Sequence, residues 1–297
     1  MIPDPFDKNP FPPPQPPVRW LPLALLIPLI GLFALSDAAV LKLMEVFRPE
    51  DWGAFWVYLT AGGMCAQLGL LTIWGAIGLG RAWQRQILVM CIGSLWIGAW
   101  IAGRLLLKHD WISPNWRETA PAFCLPLVLL VMQSPLWAFR IFGRWRLAHG
   151  EAASLNRPPQ MTIAGILGAM TLVGITLALV KLGLQVSGAK ESGFWWIAVA
   201  VACASGALAS LVVLVPVSLL TLRMKSWVAG TGLSVGYLLA VVTIAVLTAS
   251  GIHGSLRLLE FRNLLALPTA FSGLAGGLLL PLVLIRLANY RLRWGRE

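Results

Sequence analysis

The sequence predicts an all-α, polytopic transmembrane helical bundle of about eight spans, arranged as two parallel four-helix repeats. Three observations lead there. Hydrophobic residues make up 58% of the 297 residues and charged residues only 12%, whereas about a quarter of a soluble domain is charged. Eight apolar stretches, near 21-40, 54-79, 87-107, 120-139, 162-183, 194-222, 228-250 and 264-285, approach or exceed the roughly 20 residues that cross a bilayer. Landmarks also recur about half a chain apart. Lipid gives exposed backbone no hydrogen-bond partner, so each stretch is expected to be a helix.

In chain order, residues 1-20 read as a Pro-rich cytoplasmic tail in which Pro12-Pro13-Pro14 has no apolar face to bury, the composition of solvated polyproline II chain. Ala34-Leu35-Ser36 resembles a cleavage site, but the acidic, Pro-rich start is unlike the charged opening of a signal peptide. Spans one to four make a first membrane unit, 21-147, followed by a cytoplasmic linker, 148-161. Spans five to eight make a second unit, 162-287, and a basic cytoplasmic tail follows at 288-297. Pro28, Pro126, Pro216 and Pro281 lie inside spans, where kinks are expected and neighbouring groups take up the carbonyls that proline frees. Cys65, Cys91, Cys124 and Cys203 fall within apolar runs and form no disulfide or metal pattern.

Arg and Lys set the orientation. Fourteen basic residues, among them Arg81, Arg85, Arg140, Arg144, Arg146, Arg157, Arg223 and Arg286, fall on one side with four acids, and nine fall on the other with eight. The first side is read as cytoplasmic, with both termini inside. Part of the net charge of +11 is thereby a topology signal; nucleic acid is not expected as a partner. The partners expected are the bilayer itself, with anionic lipid against the basic face, and a further protein or a second copy of the chain.

The repeat rests on three matches in the same order. Pro13-Pro14-Gln15 precedes span one as Pro158-Pro159-Gln160 precedes span five. Glu50-Asp51-Trp52-Gly53-Ala54-Phe55-Trp56 leads into span two as Glu191-Ser192-Gly193-Phe194-Trp195 leads into span six, and spans four and eight end in Pro135 to Arg140 and Pro281 to Arg286. Units with an even number of spans begin and end on one side, so the repeat is parallel. Small residues at four-residue spacing (Ser94, Gly98 and Ala102; Ala198, Ala202, Gly206 and Ser210; Gly232, Gly236 and Ala240) mark expected packing faces.

No motif for chemistry emerges. There is no HExxH, paired-carboxylate signature or P-loop. Ser205-Gly206 with His253 lacks the first glycine of a membrane serine protease's GxSG, Cys203 standing there. His109 and His253 follow spans three and seven, but Lys108-His109-Asp110 reads as a polar loop, so no haem or other cofactor is expected. The candidate polar membrane positions are Asp37, Gln67 and Gln133, the last two explained by hydrogen bonds between helices.

Ala66-Gln67-Leu68-Gly69-Leu70-Leu71-Thr72-Ile73-Trp74, the turn from Arg81 to Arg85, and Gln160-Met161-Thr162-Ile163 resemble segments of uncharacterised bacterial multi-spanning membrane proteins. The resemblance implies a bacterial cytoplasmic membrane and carries no activity. The expected function is that of a noncatalytic membrane component, a subunit or scaffold. The alternative is a transporter or channel for a small or lipidic solute, with a cavity between the halves lined by Gln67, Gln133 or Asp37.

Overall fold

The computed structural model describes residues 54–78, 82–108, 124–143, 145–149, 163–186, 193–253 and 261–294, with scattered positions between 21 and 39. Span one is represented by helical residues 28–33. Span two is α1, Ala54–Ile77; span three is α2, Ala82–Lys108; span four is α3, Leu125–Phe142; span five is α4, Ile163–Val186. Span six runs as α5, Gly193–Ala209, a π-helical turn, Ser210–Leu214, and α6, Val215–Arg223. Spans seven and eight are α7, Trp227–His253, and α8, Phe261–Leu287. Among the described residues, five segments are long and apolar enough to cross a membrane: Tyr58–Ile77, Leu125–Phe142, Trp196–Arg223, Trp227–Ile244 and Pro268–Leu287.

Two short strands add to the helical architecture. β1, Trp145–His149, and β2, Tyr290–Trp294, pair antiparallel with Leu147 opposite Leu292. The sequence reading placed Trp145 to His149 across the end of the first unit and the linker, and residues 290–294 in the basic tail. Trp145, Tyr290 and Trp294 are β-favouring side chains, but the pairing joins residues 141 to 149 apart and leaves no local signal. Each strand follows a helix end. Gly143 closes α3 by donating its N–H to the Phe139 carbonyl at 2.8 Å, and Asn289 after α8 takes a φ of 73°, the left-handed conformation that asparagine tolerates. Trp145 is buried, its ring stacked on Phe139 with centroids 4.9 Å apart.

The core lies among α1, α3, α6 and α8, where Ile73, Leu136, Val217, Leu278 and Leu282 are buried, and Leu292 of β2 joins it. α2, α4 and α7 flank this centre. The most extensive contact is between α1 and α8. It is close because it is made of small residues. A Cβ on Gly62 would fall on the Ala270 carbonyl oxygen, one on Gly273 on the Leu59 carbonyl oxygen, and one on Gly277 2.7 Å from the Ala66 Cβ. Gly62 with Ala66, and Gly273 with Gly277, have the four-residue spacing that lets membrane helices approach backbone to backbone.

Of the faces expected from spacing, that of span six divides. Gly206 packs on Met132 and Val128 of α3 and Ser210 is buried, while Ala198 and Ala202 are exposed. Gly232, Gly236 and Ala240 of α7 face outward, with nothing within 4 Å of a Cβ on either glycine. Beyond Ser94, which is exposed, the face expected in span three lies outside the described side chains.

Candidate functional site

A group of buried polar side chains gathers at the C-terminal end of α1. A helix end leaves its last carbonyls without intrahelical partners, and here two arginines take them. Arg85, in the turn before the apolar part of α2, donates from Nη1 to the Gly78 carbonyl, and Arg140 of α3 donates from Nη1 to the Ala76 carbonyl. Their guanidinium carbons lie 5.8 Å and 5.5 Å from the centroid of Trp137, so one indole carries two cations. Such placement over an aromatic face is favourable to each cation but does nothing for their mutual repulsion.

Gln133 lies beside this pair and is 1% exposed. Its Oε1 accepts from Gln86 Nε2 at 2.6 Å and from Trp137 Nε1 at 3.4 Å, and Gln86 Nε2 also reaches the Gly75 carbonyl at 3.2 Å. Gln133 and Gln86 together tie α1, α2 and α3 to one another. Gly75 is small because of it: a Cβ there would lie 2.6 Å from Gln133 Oε1.

Several buried donors in this group have no partner: Arg85 Nε and Nη2, Gln133 Nε2 and Trp74 Nε1. One acceptor, Gln86 Oε1, is also left over. Arg85 is 2% exposed. Burial, and the neighbouring charge of Arg140 after it, pull its pKa from 12.5 down to about 10, which leaves it protonated at neutral pH.

The second half repeats the helix-end contact. Arg286 of α8 donates from Nη2 to the Met224 and Lys225 carbonyls, at 2.7 and 3.2 Å, just beyond α6. Where the first half joins α1 to α2 through Gln86, the second joins α6 to α7 through Thr221 Oγ1 and Ser234 Oγ, 3.0 Å apart.

Near the middle of the bundle, Pro216 has no N–H to give the Val212 carbonyl at the usual four-residue spacing. The chain widens there into the π turn, and the Tyr237 hydroxyl of α7 donates to that carbonyl. Ser210 Oγ in the same turn is buried without a partner. Leu214, closing the turn, packs against Gly69 of α1, with its Cδ2 2.8 Å from where a Cβ would stand.

Two of the three sequence-derived polar positions lie among the described residues. Gln133 belongs to the arginine group, Gln67 is half-buried on α1, and Asp37 lies outside the described residues. Ser205 is exposed and donates to the Val201 carbonyl of its own helix at 2.6 Å. His109 and the side chain of His253 lie outside the described residues. Arg85 and Trp74 were missed as site residues. The available signal was two arginines, Arg85 and Arg140, bordering spans that short connections make neighbours, but span ends are ordinarily basic.

Fold and site together define an α-helical protein with helices long and apolar enough to cross a membrane, mainly apolar outside and tied inside by a few polar joints. No family model matches the chain, and no curated protein or solved structure is similar to it.

Proposed function

We propose that the chain is an eight-span integral protein of a bacterial cytoplasmic membrane, with both termini inside, and that it serves as a noncatalytic component, a subunit or scaffold. The observation that carries this reading is the use made of its buried polar side chains. Gln86 and Gln133, Thr221 and Ser234, Tyr237, Arg140 and Arg286 each join one helix to another. Polar groups spent in that way hold a bundle together and are not free to bind cargo. Anionic lipid against the basic face, and a protein partner or second copy, complete the reading.

Duplication into two parallel four-helix units is supported by contacts that come in matched sets. α1 meets α8 as α3 meets α5, α1 meets α3 as α6 meets α8, and α1 meets α2 as α6 meets α7. β1 lies on α1 and α3 as β2 lies on α6 and α8. Two pairs of residues 145 apart also touch each other: Gly69 with Leu214, and Leu147 with Leu292. Residues that meet their own equivalents lie on the axis that relates two units, where contacts are self-complementary. Both pairs fit a duplication about one twofold axis running from the π turn to the strand pair.

A transporter or channel is the alternative, and the π turn favours it. Such turns recur at functional sites, and this one lies beside the axis with the Ser210 hydroxyl unpaired. Single cysteines at Asn9, Asn115 and Gly150, in a chain lacking the native four, test the topology. An impermeant maleimide applied to intact spheroplasts should label position 115 and neither of the others. Labelling at 150 but not 115 overturns the orientation. Purification in mild detergent followed by mass spectrometry tests the role: a stoichiometric protein partner is expected, and solute flux through proteoliposomes of the chain alone would favour the alternative.

A further inference from the structure

We propose that the π turn Ser210–Leu214 is a hinge in span six, across which α5 swings against a fixed α6, and that the Tyr237 hydroxyl is the latch that holds it. The two parts of the span are held very differently. On α6, Val215, Val217, Ser218, Thr221 and Leu222 are buried, and this helix packs against α7, α8 and β2. On α5, Val199 is the one buried residue among the described side chains, and the main contact is with α3. Segments with few buried apolar contacts are the ones that open at low cost. An anchored half and a lightly held half therefore meet at this turn.

The ladder of helical hydrogen bonds is also interrupted here. A continuous α-helix resists bending because each carbonyl is bonded to the next turn, and sharp bends fall at prolines and at π turns. In span six the two coincide. The Val215 N–H closes the turn on the Ser210 carbonyl, five residues back, and Pro216 has no N–H to bring the Val212 carbonyl into the ladder. Tyr237 of α7 takes that carbonyl instead. Ser205 and Ser218, on either side, donate to carbonyls of their own helices, whereas the Ser210 hydroxyl is buried with no partner.

Because α7 packs on α6, Tyr237 belongs to the fixed side, and its bond to Val212 sets the direction in which the chain leaves α6. Without that bond the carbonyl has no donor in apolar surroundings, and the turn can rearrange to find one. The grip on α5 allows such a movement. Gly206 meets side chains of α3, Met132 and Val128, and not backbone, unlike the joint of α1 with α8. The hinge follows from packing alone and holds for either role proposed for the chain.

The test places pairs of spin labels on the full chain, lacking the native four cysteines and purified in mild detergent, and reads their separation by pulsed electron paramagnetic resonance. Val201→Cys with Leu280→Cys spans the hinge from α5 to α8, and Val228→Cys with Leu280→Cys compares α7 with α8 on the fixed side; all three positions are exposed. With the turn unaltered, the first pair should give one dominant distance. Tyr237→Phe should raise the population of a second distance in that pair by about tenfold, the order expected for one lost hydrogen bond, and leave the second pair unchanged. Pro216→Ala supplies an N–H at residue 216, so adding Tyr237→Phe to that background should have little effect on the first pair. An unchanged first pair in Tyr237→Phe, equal changes in both pairs, or a change undiminished beside Pro216→Ala overturns the hinge and its latch. Separations in detergent do not depend on which way the chain crosses the bilayer, so failure here leaves the topology standing, and the maleimide result leaves the hinge standing.

Discussion

Alanine at Gly273 should loosen the bundle, and alanine at Gly276, one turn along the same helix, should not. A Cβ at Gly273 falls on the Leu59 carbonyl oxygen and 3.0 Å from the Gly63 nitrogen, both backbone atoms. Backbone cannot rotate aside as a side chain can. Non-bonded carbon contacts settle near 3.5–4.0 Å, so α1 and α8 must part by about 1 Å along their closest stretch. Overpacking of this kind costs about 1–3 kcal/mol. Against it stands the better helix propensity of alanine, at most about 1 kcal/mol. At Gly276 nothing lies within 4 Å of the new Cβ, so only the propensity gain operates. Thermal unfolding in mild detergent, followed by size-exclusion chromatography after heating, should place Gly273→Ala several degrees below Gly276→Ala, at about 2–4 °C per kcal/mol. Equal melting of the two, or a more stable Gly273→Ala, would refute the backbone-to-backbone reading of this joint.

Two further outcomes are expected. Tyr237→Phe leaves the Val212 carbonyl without its hydroxyl donor and should cost about 0.5–2 kcal/mol, measured by the same melting assay against Tyr58→Phe as a control. The pKa of Arg85 is depressed to about 10 from 12.5, so between those values the unfolded chain binds more protons than the folded one and this group's contribution to stability rises with pH. Below about pH 9 Arg85 contributes no slope. Arg85→Gln should therefore leave the slope of melting temperature against pH unchanged between pH 6 and 8, measured by the same melting assay.

The helices were legible because each span is a long apolar run whose only way to satisfy its backbone is internal. Limits near 54-79, 228-250 and 264-285 correspond to Ala54–Ile77, Trp227–His253 and Phe261–Leu287. The break in span six was half legible: Pro216 announced a kink, but the hydroxyl that takes up the Val212 carbonyl comes from Tyr237, a helix away. The strand pair was not legible, since Trp145 to His149 and Tyr290 to Trp294 acquire their meaning only from each other. Small-residue spacing alone did not separate packed from outward-facing stripes. Gly273 and Gly277 face α1 while Gly232 and Gly236 face outward, and the difference lies in the neighbours. At the candidate site, Gln133 was legible as a polar residue in an apolar run. Arg85 was hidden because a basic residue beside a span is ordinary, and only packing reveals that it is buried.

The two-repeat account turns on the strand pair at its axis, and a disulfide there probes it most directly. In antiparallel strands, opposed residues have Cα atoms about 4.5–5.5 Å apart, within the range a disulfide accepts. Leu147→Cys and Leu292→Cys, in a chain without the native cysteines and with a protease site inserted in the 148-161 linker, can be oxidised mildly in isolated membranes and then cleaved. The account predicts that the two halves stay joined until reductant is added, while either single substitution lets them separate. Separation of the doubly substituted chain without reductant would contradict the clasp between Leu147 and Leu292, and with it the common axis.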